Sequence, residues 1–307
     1  MRSVFITGYW RSGTSLLLRL FDGHPQVSVM PVETGIITIL EKDPAFLDKL
    51  KKCKNKYQLL CVIAQNPITR FQDLINASLD GMSFSRTEIY YPFEFNLDTF
   101  ATTFFNCVNS ENSLKGIVHG YYYSIRNAWI NHHGNNSASI YAVQRAHRID
   151  RYPGEDSVRF VMDNVRDMAV VELVRDPVYQ ISSALKGEKS LSLEDAIVGW
   201  GYAYNYIKNR EKKYSGQYKL VKYEDLVSNT ETSMRGCADL MGIDYDEILS
   251  NPSFNGEIWK GNSSFGELAK LELRKETFLS DIQLNHIQKS LGDYRNELGY
   301  PELSAIY

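Results

Sequence analysis

The chain has 307 residues, of which 34 are basic and 37 acidic, for a formal net charge of −3. A hydrophobic share of 43% supports a sizeable core, and 23% charged residues suit an ordinary soluble surface. The near-neutral balance argues against broad nucleic-acid binding, which draws on a basic excess, and leaves room for a small basic pocket around an anion. The first apolar run, Val4 to Ile6, is shorter than a signal h-region and far below the ~20 residues of a membrane span. With no later uncharged segment of that length, a cytoplasmic protein without a membrane span is expected. Cys53, Cys61, Cys107 and Cys237 form neither a CxxC pair nor a Cys/His cluster, which argues against zinc and fits a reducing compartment. All four are expected to be small core residues.

In chain order, Val4–Ile6 predicts a strand, and Thr14 to Phe21 predicts an apolar helix after a glycine-bounded loop. Asp22-Gly23-His24-Pro25 carries turn chemistry, with His24 in a structural role, and Val27 to Met30 predicts a second strand. From about Glu33 to His132 the spacing of apolar residues is mostly helical. Strands return at Ser139–Val143, Ala169–Val174 and Tyr218–Val221. Helices are predicted over Val178–Leu185, Leu193–Lys213, Thr230–Met241 and Ser280–Leu298. Alternating strands and helices indicate βαβ units and a mostly parallel sheet. No repeat, linker or low-complexity tract interrupts the chain, so one α/β domain over residues 1–307 is expected, with a helical insertion at roughly 35–137. The many aromatic residues at helical spacing in that insertion read as core. Its place between the loop and the third strand would let it shape a substrate site.

Two stretches carry chemistry. The first, Gly8-Tyr9-Trp10-Arg11-Ser12-Gly13-Thr14-Ser15, matches the phosphate-loop pattern GxxxxGK[ST] except that Thr14 stands where the lysine belongs. Strand, loop and helix in this order present backbone N–H groups to an anion. The positive charge lies inside the loop instead, at Arg11, whose guanidinium can fork onto a terminal anionic group without a metal. An ordinary strand–helix turn with a surface arginine is the alternative. The second stretch is Arg175-Asp176-Pro177 at the end of the Ala169–Val174 strand, with Ser182 and Ser183 on the next helix. Arg175 and a hydroxyl two turns along can meet at one phosphate, while Asp176 caps the helix and Pro177 opens it. A phosphate-loop kinase or NTPase, with Asp176 as a metal ligand, is the competing reading; the absent lysine counts against it.

The run Arg11-Ser12-Gly13-Thr14-Ser15 and the later Arg175-to-Ser183 spacing, taken together, resemble the sulfotransferases that use 3′-phosphoadenosine 5′-phosphosulfate (PAPS). That resemblance implies a P-loop-like three-layer α/β/α fold. It also implies a 5′-phosphosulfate held by Arg11, Ser12, Gly13, Thr14 and Ser15, and a 3′-phosphate held by Arg175 and Ser183. Tyr218–Leu226 looks like the segment that borders the adenine, with Tyr223 the contact. Trp259-Lys260-Gly261-Asn262 looks like the loop that closes over the 3′-phosphate, through Lys260, Gly261 and Asn262. Tyr294 to Tyr300 looks like the family's final helix. One departure stands at 141–148, where the family's Lys-Ser/Thr-Pro segment has no counterpart. Transfer of a sulfuryl group to a hydroxyl or amine needs a base for the acceptor proton. By similarity to the tyrosylprotein and bacterial branches, Glu33 takes that role, with no metal; helix-end charge complementation is its alternative. His119, on an apolar helical face, is the reserve base and otherwise a core histidine. A glycan, a small molecule or a peptidyl tyrosine all fit as acceptor.

Overall fold

The computed structural model describes residues 2–33, 35–83, 90–110, 113–133, 140–147, 156–165, 167–261, 271, 273 and 277–301. All five expected strands form: β1 (Arg2–Tyr9), β2 (Val27–Val29), β3 (Ile140–His147), β4 (Met168–Val174) and β5 (Tyr218–Lys222). They make one sheet in the order β2-β3-β1-β4-β5, with each neighbouring pair parallel. The sheet is flanked by helices, so the α/β class read from the alternation holds. β3 runs four residues beyond the expected Val143, because it pairs with β1 along its whole length, from Ile140 opposite Arg2 to His147 opposite Tyr9. The polar Gln144, Arg145 and His147 hid that extension from an apolar count.

β4 is buried almost throughout, as its near-continuous apolar text requires. Its one charged residue, Glu172, is satisfied by Arg210 at 2.5 Å and by the Tyr218 hydroxyl at 2.7 Å. Arg210 also holds Asp156 at 2.7 Å. This pairing corrects one expected element. The stretch Leu193–Lys213 is not one helix but two, Leu193–Ile207 and Arg210–Lys213, broken at Asn209 with φ 77°. A buried carboxylate without a partner is costly, and the left-handed turn at Asn209 brings Arg210 inward to Glu172.

Helix α1 (Thr14–Leu20) packs back on β1 and β3. The longest helices of the insertion, α2 (Leu97–Ser110) and α3 (Leu114–Ala128), pack on each other. Phe71, Phe100, Phe104 and Tyr121 form a buried aromatic seam there, with successive ring centroids 4.7, 5.8 and 5.4 Å apart. The seam is continuous with the apolar core under the sheet, as expected for aromatic residues at helical spacing. A two-stranded piece, Met82–Ser83 with Tyr90–Tyr91, interrupts a region read as helical.

After β4 come α4 (Pro177–Gly187) and α5 (Leu193–Ile207); after β5 come α6 (Tyr223–Ser228) and α7 (Thr230–Met241). The last long helix is α8 (Asp281–Glu297), opened by a capping box between Ser280 and Gln283. Tyr9 and Val174, at the C-terminal ends of β1 and β4, join α4, α5 and α8 in a second apolar cluster. Among the described residues, no helix is long and apolar enough to cross a membrane. His24 is structural, its imidazole 2.9 Å from the Asp244 carbonyl. The expectation for cysteine is corrected: only Cys237 is buried, Cys53 and Cys107 are partly exposed, and Cys61 is exposed. Cys61 lies on the outer face of a short surface helix, Lys56–Ala64, whose buried side is taken by Leu59 and Ile63.

Candidate active site

The loop after β1 turns sharply, with the Ser12 N–H donating to the Tyr9 carbonyl at 3.0 Å. Arg11 sits at φ 69° and Gly13 at φ 101°. A non-glycine residue in the left-handed region costs about 1 kcal/mol or more and persists where the surroundings impose it, often at functional sites. Gly8 is required by close approach, since a Cβ there would lie 2.4 Å from Ser12 Oγ and 2.5 Å from the Leu173 carbonyl oxygen. At Gly13 a Cβ would lie 2.4 Å from a ring carbon of Tyr223. The glycine therefore lets Tyr223, from the start of α6, lie directly on the loop. Arg11 stands over the Trp10 ring, 5.3 Å from its centroid. Thr14 is buried and Ser15 half-buried in the first turn of α1.

The second stretch arrives at the same place. Arg175 follows the last residue of β4, and its Nη1 donates to the Arg11 carbonyl at 3.4 Å. Its guanidinium lies 4.4 Å from the centroid of the Tyr223 ring, a cation–π distance. The two motifs and Tyr223 thus converge at the C-terminal edge of β1, β4 and β5. Two buried donors in this cluster, Ser12 Oγ and Arg175 Nε, have no hydrogen-bond partner among the described residues. Buried polar groups are nearly always satisfied, which makes this cluster the candidate site for a ligand. Ser183 is buried on α4 two turns from Arg175, and its neighbour Ser182 accepts the Phe278 N–H at 3.1 Å.

Asp176 caps α4 through the Val178 N–H at 3.0 Å, as expected. Its carboxylate is also gripped from both sides by Arg295 of α8, at 3.1 and 2.9 Å, and both residues are fully buried. A carboxylate held in this way has little left to offer a metal, which removes the specific role the kinase reading gave it. Glu224, next to Tyr223, accepts the Asp176 N–H and the Tyr300 hydroxyl, each at 3.1 Å. Burial pushes the Glu224 carboxyl above its ordinary range.

Glu33 leaves the sheet at the same edge. Val29 is level with Ala142, and Ala142 with Val4; Glu33 is four residues beyond Val29, as Gly8 is beyond Val4. Its Oε2 lies 2.6 Å from Arg70 Nη1, and Arg70 in turn holds Asp73 at 2.6 Å. Arg19, buried in α1, donates to the Pro31 carbonyl at 2.9 Å and so ties the segment before Glu33 to the loop's own helix. Burial pushes the Arg19 guanidinium down to about 10, and nearby Asp22 opposes that fall. His119 does not reach this edge. Its Nδ1 is 3.0 Å from Ser3 Oγ, six residues before Tyr9 on β1 and hence about 20 Å away at strand rise. Burial drives its pKa down to about 4.

Lys260 is exposed, and its N–H donates to the Tyr91 hydroxyl at 3.4 Å; Gly261 follows at φ 88°. Asn262 lies outside the described residues. The short hairpin that carries Lys260 (Ser253–Phe254 with Glu257–Ile258) is tied to α1's end, where Asp22 accepts from Ser253 Oγ at 2.6 Å and the Gly256 N–H at 3.1 Å. Arg19, Asp22, Arg70, Gln180, Trp200 and Arg295 were not singled out from the sequence. Arg19 and Asp22 carried a weak signal, being charged residues inside an apolar helix and turn. Gln180 and Trp200 carried none beyond being polar atoms at helix positions that face the core.

A sulfotransferase family model matches residues 3–247. A search of curated proteins by sequence returned no match. Among solved structures, the sulfotransferase domain from the curacin biosynthetic pathway is 13% identical, with a TM-score of 0.53 over 98% of this chain and 99% of that one. The sulfotransferase domain of the Synechococcus PCC 7002 olefin synthase is 18% identical, with a TM-score of 0.48 over 95% and 94%. A sulfotransferase from Alicyclobacillus acidocaldarius is 13% identical, with a TM-score of 0.46 over 99% and 98%. The curacin-pathway likeness agrees with the parallel five-stranded architecture.

Proposed function

The chain belongs to the sulfotransferase family, and from that premise we propose that it transfers a sulfuryl group from PAPS to an acceptor hydroxyl or amine, in line and without a metal. The observation that carries this reading is the meeting of Arg11, Arg175 and Tyr223 around Gly13, with Ser12 Oγ and Arg175 Nε buried and unpartnered beside them. A nucleotide with anionic groups at both ends of its ribose fits such a set, because each arginine meets one anion and the aromatic ring meets the base.

When bound, the donor supplies a sulfuryl group activated by its 5′-phosphate. The loop residues Ser12, Gly13, Thr14 and Ser15 orient that end. Arg11 puts positive charge where the bridging oxygen gains negative charge as the S–O bond breaks. Arg175 and Ser183 bind the 3′-phosphate together with Lys260, Gly261 and Asn262, and Tyr223 borders the adenine. Glu33 takes the acceptor proton as the new bond to sulfur forms, and Arg70 holds the Glu33 carboxylate in one orientation. The insertion at roughly 35–137 would cover the cleft and shape the acceptor site of what we read as a single domain. A glycan, a small molecule or a peptidyl tyrosine each meets the chemical requirement.

Isothermal titration with adenosine 3′,5′-bisphosphate in EDTA tests the donor site, and binding is expected without added metal. No heat, or binding only of Mg²⁺–ATP, would overturn the assignment. Transfer of labelled sulfate from PAPS to an acceptor library then tests the activity, and undiminished turnover by Glu33→Gln would move the base elsewhere.

A further inference from the structure

Gln180 is buried under the loop, 1% exposed, one turn into α4. Its Nε2 donates to two successive loop carbonyls, Tyr9 at 3.0 Å and Trp10 at 2.7 Å. Its Oε1 lies 3.0 Å from Trp200 Nε1 of α5. An indole N–H only donates, so Trp200 fixes which way the amide faces: oxygen toward the indole, both N–H bonds toward the loop. Both N–H donors of this amide and its oxygen are thereby engaged. The same indole N–H lies 3.3 Å from the Arg175 carbonyl, so the Gln180–Trp200 pair links the end of β1 to the end of β4.

In a trans peptide the carbonyl of one residue and the N–H of the next point in opposite directions. With the Tyr9 and Trp10 carbonyls drawn down onto Gln180, the N–H groups of Trp10 and Arg11 point away from Gln180. We propose that Gln180, oriented by Trp200, is a positioning residue that turns this part of the loop into an anion cradle and sets its height relative to Arg175. The ligand part of this inference rests on the nucleotide reading above; the loop-shape part does not.

Gln180→Leu and Trp200→Phe separate the two. Phenylalanine keeps a ring to stack on Tyr204 while removing the indole donor. In ligand-free protein, hydrogen exchange of residues 8–15 should speed up about tenfold or more in either variant, while exchange in α2 and α3 stays at the wild-type rate. In titrations, affinity for adenosine 3′,5′-bisphosphate should fall about tenfold, the loss of roughly one to two hydrogen bonds' worth of orientation. Affinity for adenosine 3′-monophosphate, which lacks the loop's anion, should be unchanged. Loop exchange at the wild-type rate, or faster exchange spread evenly over the whole chain, would overturn the proposal. So would an equal loss of affinity for both nucleotides. If Gln180→Leu does not fold, Trp200→Phe decides by the same readouts. Faster loop exchange in a protein that binds neither nucleotide in wild-type form would uphold the positioning role and sink the donor assignment instead.

Discussion

The two ends of β1 pose the same physical problem and answer it differently. Among the described residues, Ser12 Oγ and Arg175 Nε at the C-terminal end are buried without partners, as is His119 Nε2 at the N-terminal end. At His119 the group can give up its charge, and burial holds the imidazole neutral, bonded to Ser3 on one side. At the loop the nearby groups are guanidiniums, which keep their charge at any ordinary pH. There the backbone is also held in the left-handed region, at Arg11. The proposed binding site is therefore the end of β1 where permanent charge and imposed backbone geometry accompany the unpartnered donors; at His119 neither does.

The largest test of that contrast lies behind the loop. Arg295→Met should cost about 3–5 kcal/mol of folding stability, because it leaves the Asp176 carboxylate buried without its counter-charge. Denaturant unfolding would measure it, and a loss below ~1 kcal/mol would mean that Asp176 finds another partner. Next, Arg11→Ala should lower turnover by about 10²–10³-fold with a much smaller loss of nucleotide affinity, since its charge matters most as the bridging oxygen becomes anionic. Equal losses in both would make Arg11 a ground-state contact. Arg175→Met should weaken adenosine 3′,5′-bisphosphate by about 10- to 100-fold, within the range of one charged hydrogen bond, and leave adenosine 5′-monophosphate nearly untouched.

The last test lies at the other edge. The folded-state pKa of His119, about 4, lies below the usual 6.5. The unfolded chain therefore binds the extra proton as pH falls through 6.5, and the folded chain does so only near 4. Stability is kept above about pH 6.5 and drops between there and pH 4, by up to about 3 kcal/mol. His119→Gln should flatten that part of the curve. Among the described residues, the charges that act on this imidazole are Lys115 and Asp167, which pair with each other.

Much of the molecule was legible in the text because its signals are local. Continuous apolar runs announced β1 and β4, and Asp176-Pro177 announced a capped helix. Arg11 to Ser15 announced the loop because glycine and charge stand next to one another. What stayed hidden depends on distance along the chain. Gln180 meets the loop across 171 residues, and Arg295 meets Asp176 across 119. Neither spacing repeats or leaves a pattern. The break at Asn209 was hidden for a related reason, because the need for it lies in Glu172, a residue on another element. The insertion was legible as core and silent about substrate, since apolar spacing encodes burial and says nothing about which face meets a ligand.

The most direct measurement is a crystal structure with adenosine 3′,5′-bisphosphate bound. The account predicts the 5′-phosphate on the loop from Arg11 to Ser15, the 3′-phosphate on Arg175 and Ser183, and the adenine beside Tyr223. A nucleotide bound elsewhere, or lying with its two phosphates exchanged between the two arginines, would contradict it.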